Sequence, residues 1–110
     1  MPKLSISTIV ELVAAARNNS ERAVICMAIT DRDGKGVSGL TESNFTIDDL
    51  LVAPGGSGVH IDAVVPNVRP GFYNLDVVPS NTWEVGVYVL GVTVESGDDD
   101  GTKLVKMVLE

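Results

Sequence analysis

The sequence predicts a single soluble domain, residues 1–110, with an all-β sandwich fold of about seven strands. Residues that favour strands cluster in runs of roughly five to ten, and Gly, Pro, Asn, Asp and Ser separate these runs, which is typical of strands joined by tight turns. Hydrophobic residues make up 45% of the chain and charged residues 21%. That balance is typical of a globular protein and is sufficient for a hydrophobic core at this length.

The N-terminal segment, residues 4–17, is compatible with an edge strand or with a short helix. Its apolar residues fit one face of a helix and also fit the alternation of a strand. The alanines at residues 14–16 and a possible capping box over residues 8–11 favour a helix. A β-rich chain around the segment favours a strand, which is the preferred alternative.

The first well-defined strand is predicted over residues 22–30. Both of its faces are apolar: one carries Ile25, Met27 and Ile29, and the other carries Val24, Cys26 and Ala28. Such a strand is typical of the interior of a sheet that is covered on both sides. A tight turn is expected over residues 31–36, because Asp-Gly sequences readily adopt positive φ angles.

Further strands are expected on both sides of a flexible loop at residues 53–58. The sequence predicts strands over residues 44–48, 59–65 and 72–78, with these side chains facing the core: Phe45, Ile47, Val59, Ile61, Ala63, Val65, Tyr73, Leu75 and Val77.

The longest β run covers residues 83–95 and places alternate apolar side chains on one face: Tyr88, Leu90, Val92 and Val94. Gly86 and Gly91 within it predict a bulge or a close approach of a neighbouring backbone. A hairpin loop over residues 96–101 then leads to the last strand, residues 102–109.

The net charge of −7 and the pI near 4.5 argue against nucleic-acid binding, because that affinity depends on Lys and Arg. The basic residues are scattered, so binding to an anionic membrane surface is not expected either. No apolar run approaches the roughly 18 residues of a membrane-spanning helix. No secretory signal is visible, so the chain is expected to be cytoplasmic if complete, or exposed at a cell surface if it is a module of a longer secreted protein.

Two stretches resemble bacterial immunoglobulin-like domains, the modules found in adhesins and other surface proteins. The first is ITDRDGKGVSGL at residues 29–40, followed by Asn44 and Phe45; the second is PGFYNL at residues 70–75 together with WEVGVYVL at residues 83–90. The resemblance implies an immunoglobulin-like β-sandwich with Phe45 in the core. Tyr73 resembles the tyrosine corner of such sandwiches, whose hydroxyl bonds upstream backbone.

These motifs also occur in other sandwich superfamilies, including transthyretin-like domains. The single cysteine, Cys26, cannot form the inter-sheet disulfide of antibody domains.

Two groups of acidic residues are weak candidates for calcium binding. Asp31, Asp33, Gly36 and Glu42 match four positions of an EF-hand loop, but Lys35 occupies a ligand position and the flanking residues are expected to form strands. The second group is Asp98, Asp99 and Asp100. The favoured interpretation is an ordinary turn for the first group and a solvated hairpin end for the second.

No catalytic site or cofactor is predicted. His60, the only histidine, shares a strand face with Asp62, but no nucleophile elbow accompanies them. Cys26 is interpreted as a structural residue. The glycines at residues 55–58 lack the Lys-Ser or Lys-Thr of a phosphate-binding loop.

The expected function is therefore a non-catalytic binding, structural or spacer module that contacts a protein partner or another copy of itself. Two alternatives are a small self-assembling or phage-type structural protein and a carbohydrate-binding module. Contact is expected through the loops at one end or through an exposed strand edge. The leading candidate edge is residues 102–109, because this segment has apolar side chains on both faces.

Overall fold

The computed structural model describes residues 5–12, 22–97 and 99–109. These residues form seven strands and one short 3-10 helix, Glu42–Asn44. The strands are β1 (Ser5–Leu12), β2 (Ala23–Thr30), β3 (Phe45–Leu51), β4 (Val59–Pro66), β5 (Phe72–Pro79), β6 (Gly86–Ser96) and β7 (Asp99–Leu109). The all-β prediction is confirmed.

Two antiparallel sheets enclose a common core in a sandwich-like arrangement. The four-stranded sheet has the order β1-β2-β5-β4, and the three-stranded sheet has the order β3-β6-β7. Buried side chains from both sheets form one hydrophobic cluster. Phe45 of β3 and Tyr73 of β5 join the two layers directly, since their rings meet edge to face with centroids 5.7 Å apart.

The core is formed by alternate residues of the central strands, as the period of two requires. The fully buried side chains include Ile25, Met27, Ile29, Leu75, Val77, Tyr88, Leu90, Val92, Val94, Val105, Met107 and Leu109. Burial of each aliphatic side chain contributes about 1.5–3 kcal/mol. The predicted core faces of β2, β5 and β6 are therefore confirmed.

β2 lies between β1 and β5, so its predicted position inside a sheet is confirmed. Its inner face is buried, but the outer face with Val24, Cys26 and Ala28 is only half-buried. The prediction of full cover on both sides was therefore wrong for the outer face.

Residues 5–12 of the ambiguous N-terminal segment form an edge strand, as preferred, and the helical alternative is wrong for them. β1 pairs with β2 along its whole length and also contacts β7 of the other sheet. Residues 13–17 of the same segment lie outside the described residues.

A bulge in β4 reverses the predicted orientation of its last residues. Ile61 pairs with Val77 and Ala63 pairs with Asp76, although Val77 and Asp76 are consecutive residues of β5. Asp62 is therefore an extra residue without a pairing partner in β5. After the bulge, Val64 packs against the core and Val65 is exposed. The prediction that Val65 is buried was wrong, because simple alternation does not anticipate the inserted residue.

β6 and β7 also begin at different residues from those predicted. β6 starts at Gly86, and Trp83 lies in the preceding loop with its ring buried against Tyr88. β7 starts at Asp99, which pairs with Ser96. Only residues 97 and 98 separate the two strands, fewer than the six residues of the predicted loop.

Gly86 occupies a position that only glycine fits easily. Its φ is 143°, and a Cβ atom there would lie 2.8 Å from the Cβ of Ala53, so the predicted close approach is confirmed. The irregularity in the three-stranded sheet lies between Asp49 and Leu51 of β3, not at Gly91.

Candidate interaction surface

The turn after β2 uses the Asp31 carboxylate to stabilise its own backbone. Asp31 Oδ1 accepts hydrogen bonds from the N–H groups of Asp33, at 2.8 Å, and Lys35, at 3.0 Å. The strand before this turn and the short 3-10 helix that contains Glu42 differ from the two long helices of an EF-hand. The geometry is that of an Asx turn, in which a side-chain carboxylate replaces a backbone acceptor.

The acidic residues at the β6–β7 hairpin are distributed along a strand. Asp99 and Asp100 belong to β7, where Asp100 pairs with Glu95, and Asp98 lies outside the described residues. Within residues 5–12, 22–97 and 99–109, no group of three or more His, Cys, Asp or Glu side chains could hold a metal ion. The described acidic candidates therefore do not converge on one site.

The other polar candidates lie apart from one another. His60 and Asp62 are exposed on β4, an edge strand, and the bulge at Asp62 interrupts the strand between them. Cys26 is half-buried on the outer face of β2. The described part of the chain contains no helix of the length and apolar character that a membrane crossing requires.

Both tyrosines have structural roles through buried hydroxyl groups. Tyr73 Oη donates to the Val37 carbonyl at 2.6 Å and accepts from the Leu40 N–H at 3.1 Å. These bonds hold the β2–β3 connection against β5. The predicted bond to upstream backbone is thus present, although it spans a long stretch of chain and not a local corner.

A local corner is formed instead by Tyr88, near the start of β6. Its hydroxyl accepts from the Glu84 N–H at 2.9 Å and donates to the Glu84 carbonyl at 3.2 Å. This tyrosine was predicted only as a core residue. Its position shortly after the turn at residues 79–82 is the sequence signal that points to a corner.

The outer face of the three-stranded sheet carries a concentration of exposed apolar side chains, here called the β3-β6-β7 face. Eight large apolar side chains are exposed within residues 22–97 and 99–109, and four of them are on this face: Leu50 (57% exposed), Leu51 (51%), Leu104 (62%) and Val108 (41%). Grouping of such residues on one face is typical of a contact surface, whereas scattered ones are ordinary.

The strand register places these side chains side by side. Asp48, Gly91 and Leu104 lie in one row across the three strands, and Leu51, Val89 and Lys106 lie in the next outward-facing row. Gly91 at the centre is buried, and a Cβ atom added there would lie 3.6 Å from Leu50 Cδ1, so the Leu50 side chain lies close to this glycine. The result is a shallow apolar surface with Asp48 on one edge strand and Lys106 on the other, and with Glu95 and Asp100 near the β6–β7 hairpin.

The predicted edge segment, residues 102–109, has two different faces. Val105, Met107 and Leu109 are buried in the core, whereas Leu104 and Val108 are exposed on the β3-β6-β7 face. The sequence thus identified one strand of this surface. It missed the contribution of Leu50 and Leu51, because the pairing of β3 with β6 connects residues distant in sequence.

Comparisons with family models, with curated proteins and with solved structures find no match to this chain.

Proposed function

We propose that this chain is an immunoglobulin-like β-sandwich module that functions through protein–protein contact and not through catalysis. The strand order supports the immunoglobulin-like assignment. In constant-type immunoglobulin domains the first, second, fifth and fourth strands form one sheet and the third, sixth and seventh form the other, and the same order occurs here. The Tyr88 hydroxyl, bonded to Glu84 near the start of the sixth strand, matches the tyrosine corner.

The single observation that carries the contact function is the exposed apolar surface formed by Leu50, Leu51, Leu104 and Val108. Exposed apolar groups gain free energy when a partner removes them from water, at about 25 cal/mol per Å². A surface of this kind needs a macromolecular partner with a similarly shallow face. The net charge of −7 makes a protein a better partner than a nucleic acid.

The distribution of the aromatic residues does not favour the carbohydrate-binding alternative. Sugar-binding sandwiches need exposed aromatic faces, yet Phe45, Tyr73, Trp83 and Tyr88 are buried. Phe72, the fifth aromatic residue, is 43% exposed and offers no second ring for a stacking platform.

The contact function is tested by placing a photo-crosslinking amino acid at Leu104 and expressing the chain in its native cells. We expect covalent adducts after illumination, because a surface that binds a partner holds it within reach of the probe. The matched control carries the same probe at Val68, which is 97% exposed in the β4–β5 turn and lies off the β3-β6-β7 face. Equal adduct yields at the two positions would contradict the proposed contact function.

A further inference from the structure

The charges on the β3-β6-β7 face are mostly acidic. Four of its outward-facing positions carry exposed charged side chains: Asp48, Glu95, Asp100 and Lys106. Lys103 pairs with Val92, whose side chain is buried in the core, so Lys103 belongs to the opposite side of β7. The face therefore has an excess of negative charge.

Most of this negative charge is separated from the apolar side chains along the strands. Glu95 and Asp100 pair with each other next to the β6–β7 hairpin. Leu104 lies four residues further along β7, which is about 14 Å at roughly 3.4 Å per residue. One row of hydroxyl side chains lies between them: Thr46, Thr93 and Thr102. The face thus has an acidic end at the hairpin and an apolar end beyond the threonines.

The two carboxylates at the hairpin are placed to attract a basic group. Glu95 and Asp100 lie directly opposite each other on β6 and β7, and like charges at such positions repel. Neither carboxylate forms an ion pair with any residue that the structure describes. A partner that brings Lys or Arg to this end lessens the repulsion, whereas a second copy brings the same acidic excess.

We infer that the β3-β6-β7 face binds a basic protein, whose apolar side chains cover the leucines and whose Lys or Arg side chains lie against Glu95 and Asp100. This inference rests on the proposed function and names the chemistry of the partner. Complementary charges select a partner and fix its orientation. Lys106 lies at the apolar end and repels a basic group there, so the basic side chains of the partner belong at the hairpin.

A designed helical peptide is a suitable probe for this chemistry. The three strands cover a width of about 14 Å at roughly 4.8 Å per strand, and one α-helix is about 10–12 Å wide. The probe carries leucines along one stripe and, on the same side, arginines about nine residues later, since that length of helix spans about 14 Å. A control peptide has the same composition, with leucines and arginines mixed along the stripe.

NMR titration of the purified full chain with the probe locates the contact. We expect shifts of the Glu95, Asp100 and Leu104 amides, with a dissociation constant on the order of 100 µM. Leu104→Ser should weaken binding at least about tenfold, because it removes apolar surface from the contact. Val68→Ser, away from the face, should leave it unchanged.

Three results of this titration would overturn the inference. The first is no shift at about 1 mM probe, where a contact of the expected affinity is nearly saturated. The second is a set of shifts centred outside β3, β6 and β7. The third is equally tight binding of the control peptide, because the separation of apolar and basic side chains would then be irrelevant.

Charge removal separates a local attraction from the effect of the net charge of −7. Glu95→Gln combined with Asp100→Asn should weaken probe binding about fivefold and reduce its dependence on salt. The matched pair is Asp33→Asn with Asp62→Asn, at exposed positions in the turn after β2 and in β4. It should change the affinity less than about twofold. Equal weakening by the two pairs would mean that net charge alone attracts the peptide.

The same two pairs distinguish this inference from the proposed function in cells. With the crosslinking amino acid at Leu104, the Glu95→Gln, Asp100→Asn pair should lose most adducts, and the Asp33→Asn, Asp62→Asn pair should keep them. If neither pair changes the yield, the contact function holds and only the basic partner is wrong. Equal yields at Leu104 and Val68 contradict the contact function itself. Urea unfolding of every variant shows whether the substitution also alters the fold.

Discussion

Two buried hydroxyl groups show how single atoms position whole segments of this chain. The hydroxyls of Tyr73 and Tyr88 each accept a hydrogen bond from one backbone N–H and donate one to a backbone carbonyl. Both hydroxyls and the backbone groups they contact therefore have hydrogen-bond partners. Tyr73 bonds backbone 33 and 36 residues away, whereas Tyr88 bonds backbone four residues away. The first fixes tertiary structure, and the second fixes a turn.

Replacement of either tyrosine by phenylalanine separates these roles. We expect Tyr73→Phe and Tyr88→Phe each to lower the free energy of unfolding by about 1–3 kcal/mol, because buried backbone groups lose their partner. Hydrogen exchange should show faster exchange of the Leu40 amide only in Tyr73→Phe and of the Glu84 amide only in Tyr88→Phe. Each variant is the control for the other, and equal exchange at both amides in the two variants would contradict the assignment.

At the scale of elements, the β4 bulge determines which valine enters the core. Residues 59–63 alternate between apolar and polar side chains, and continuing that alternation would point Val65 inward. The additional residue at Asp62 instead turns Val64 inward and Val65 outward. A one-residue change of register reverses every later side chain in a strand. The bulge also disrupts the edge of the four-stranded sheet, which hinders pairing with another chain there.

Two matched substitutions test this orientation. Val64→Asp should lower the free energy of unfolding by about 2–4 kcal/mol, because it brings a carboxylate against the core. Val65→Asp should change it by no more than about 0.5 kcal/mol, because that side chain is exposed. Chemical denaturation with urea measures both values. The opposite order of the two effects would mean that β4 has no bulge at Asp62.

The local sequence pattern was sufficient to predict most of the fold, but it did not predict the β3-β6-β7 face that we propose as the contact surface. The core faces of β2 and β6 follow from alternation alone, and Phe45 was correctly expected in the core. The β3-β6-β7 face depends on the pairing of Leu51 with Val89 and of Leu104 with Gly91. The second pair belongs to the predicted β6–β7 hairpin, whereas the first joins β3 to β6 across a long stretch of sequence, and neither composition nor spacing specifies that pairing.

At the scale of the whole molecule, one shared core makes the two sheets interdependent. Side chains of β2 and β5 pack with those of β3, β6 and β7 in a single cluster, so neither sheet retains a buried face without the other. The connections reinforce this dependence. The segment between β2 and β3 bonds Tyr73 of one sheet, and the Asn44 side chain within it donates to the Glu95 carbonyl of the other at 2.8 Å.

We therefore expect one cooperative unfolding transition without any added metal or cofactor. Trp83, the chain's only tryptophan, is buried against Tyr88, so its fluorescence reports the loop before β6 and the core beside it. Far-UV circular dichroism reports the strands of both sheets. In urea the two signals should share one midpoint, with an m-value of about 1–1.5 kcal/mol/M for a domain of this size. The measurement belongs at about 1 µM, because any self-association of the chain would raise the midpoint as concentration rises. Separate midpoints at that concentration would mean that the sheets unfold independently and that the shared core contributes less than its burial indicates.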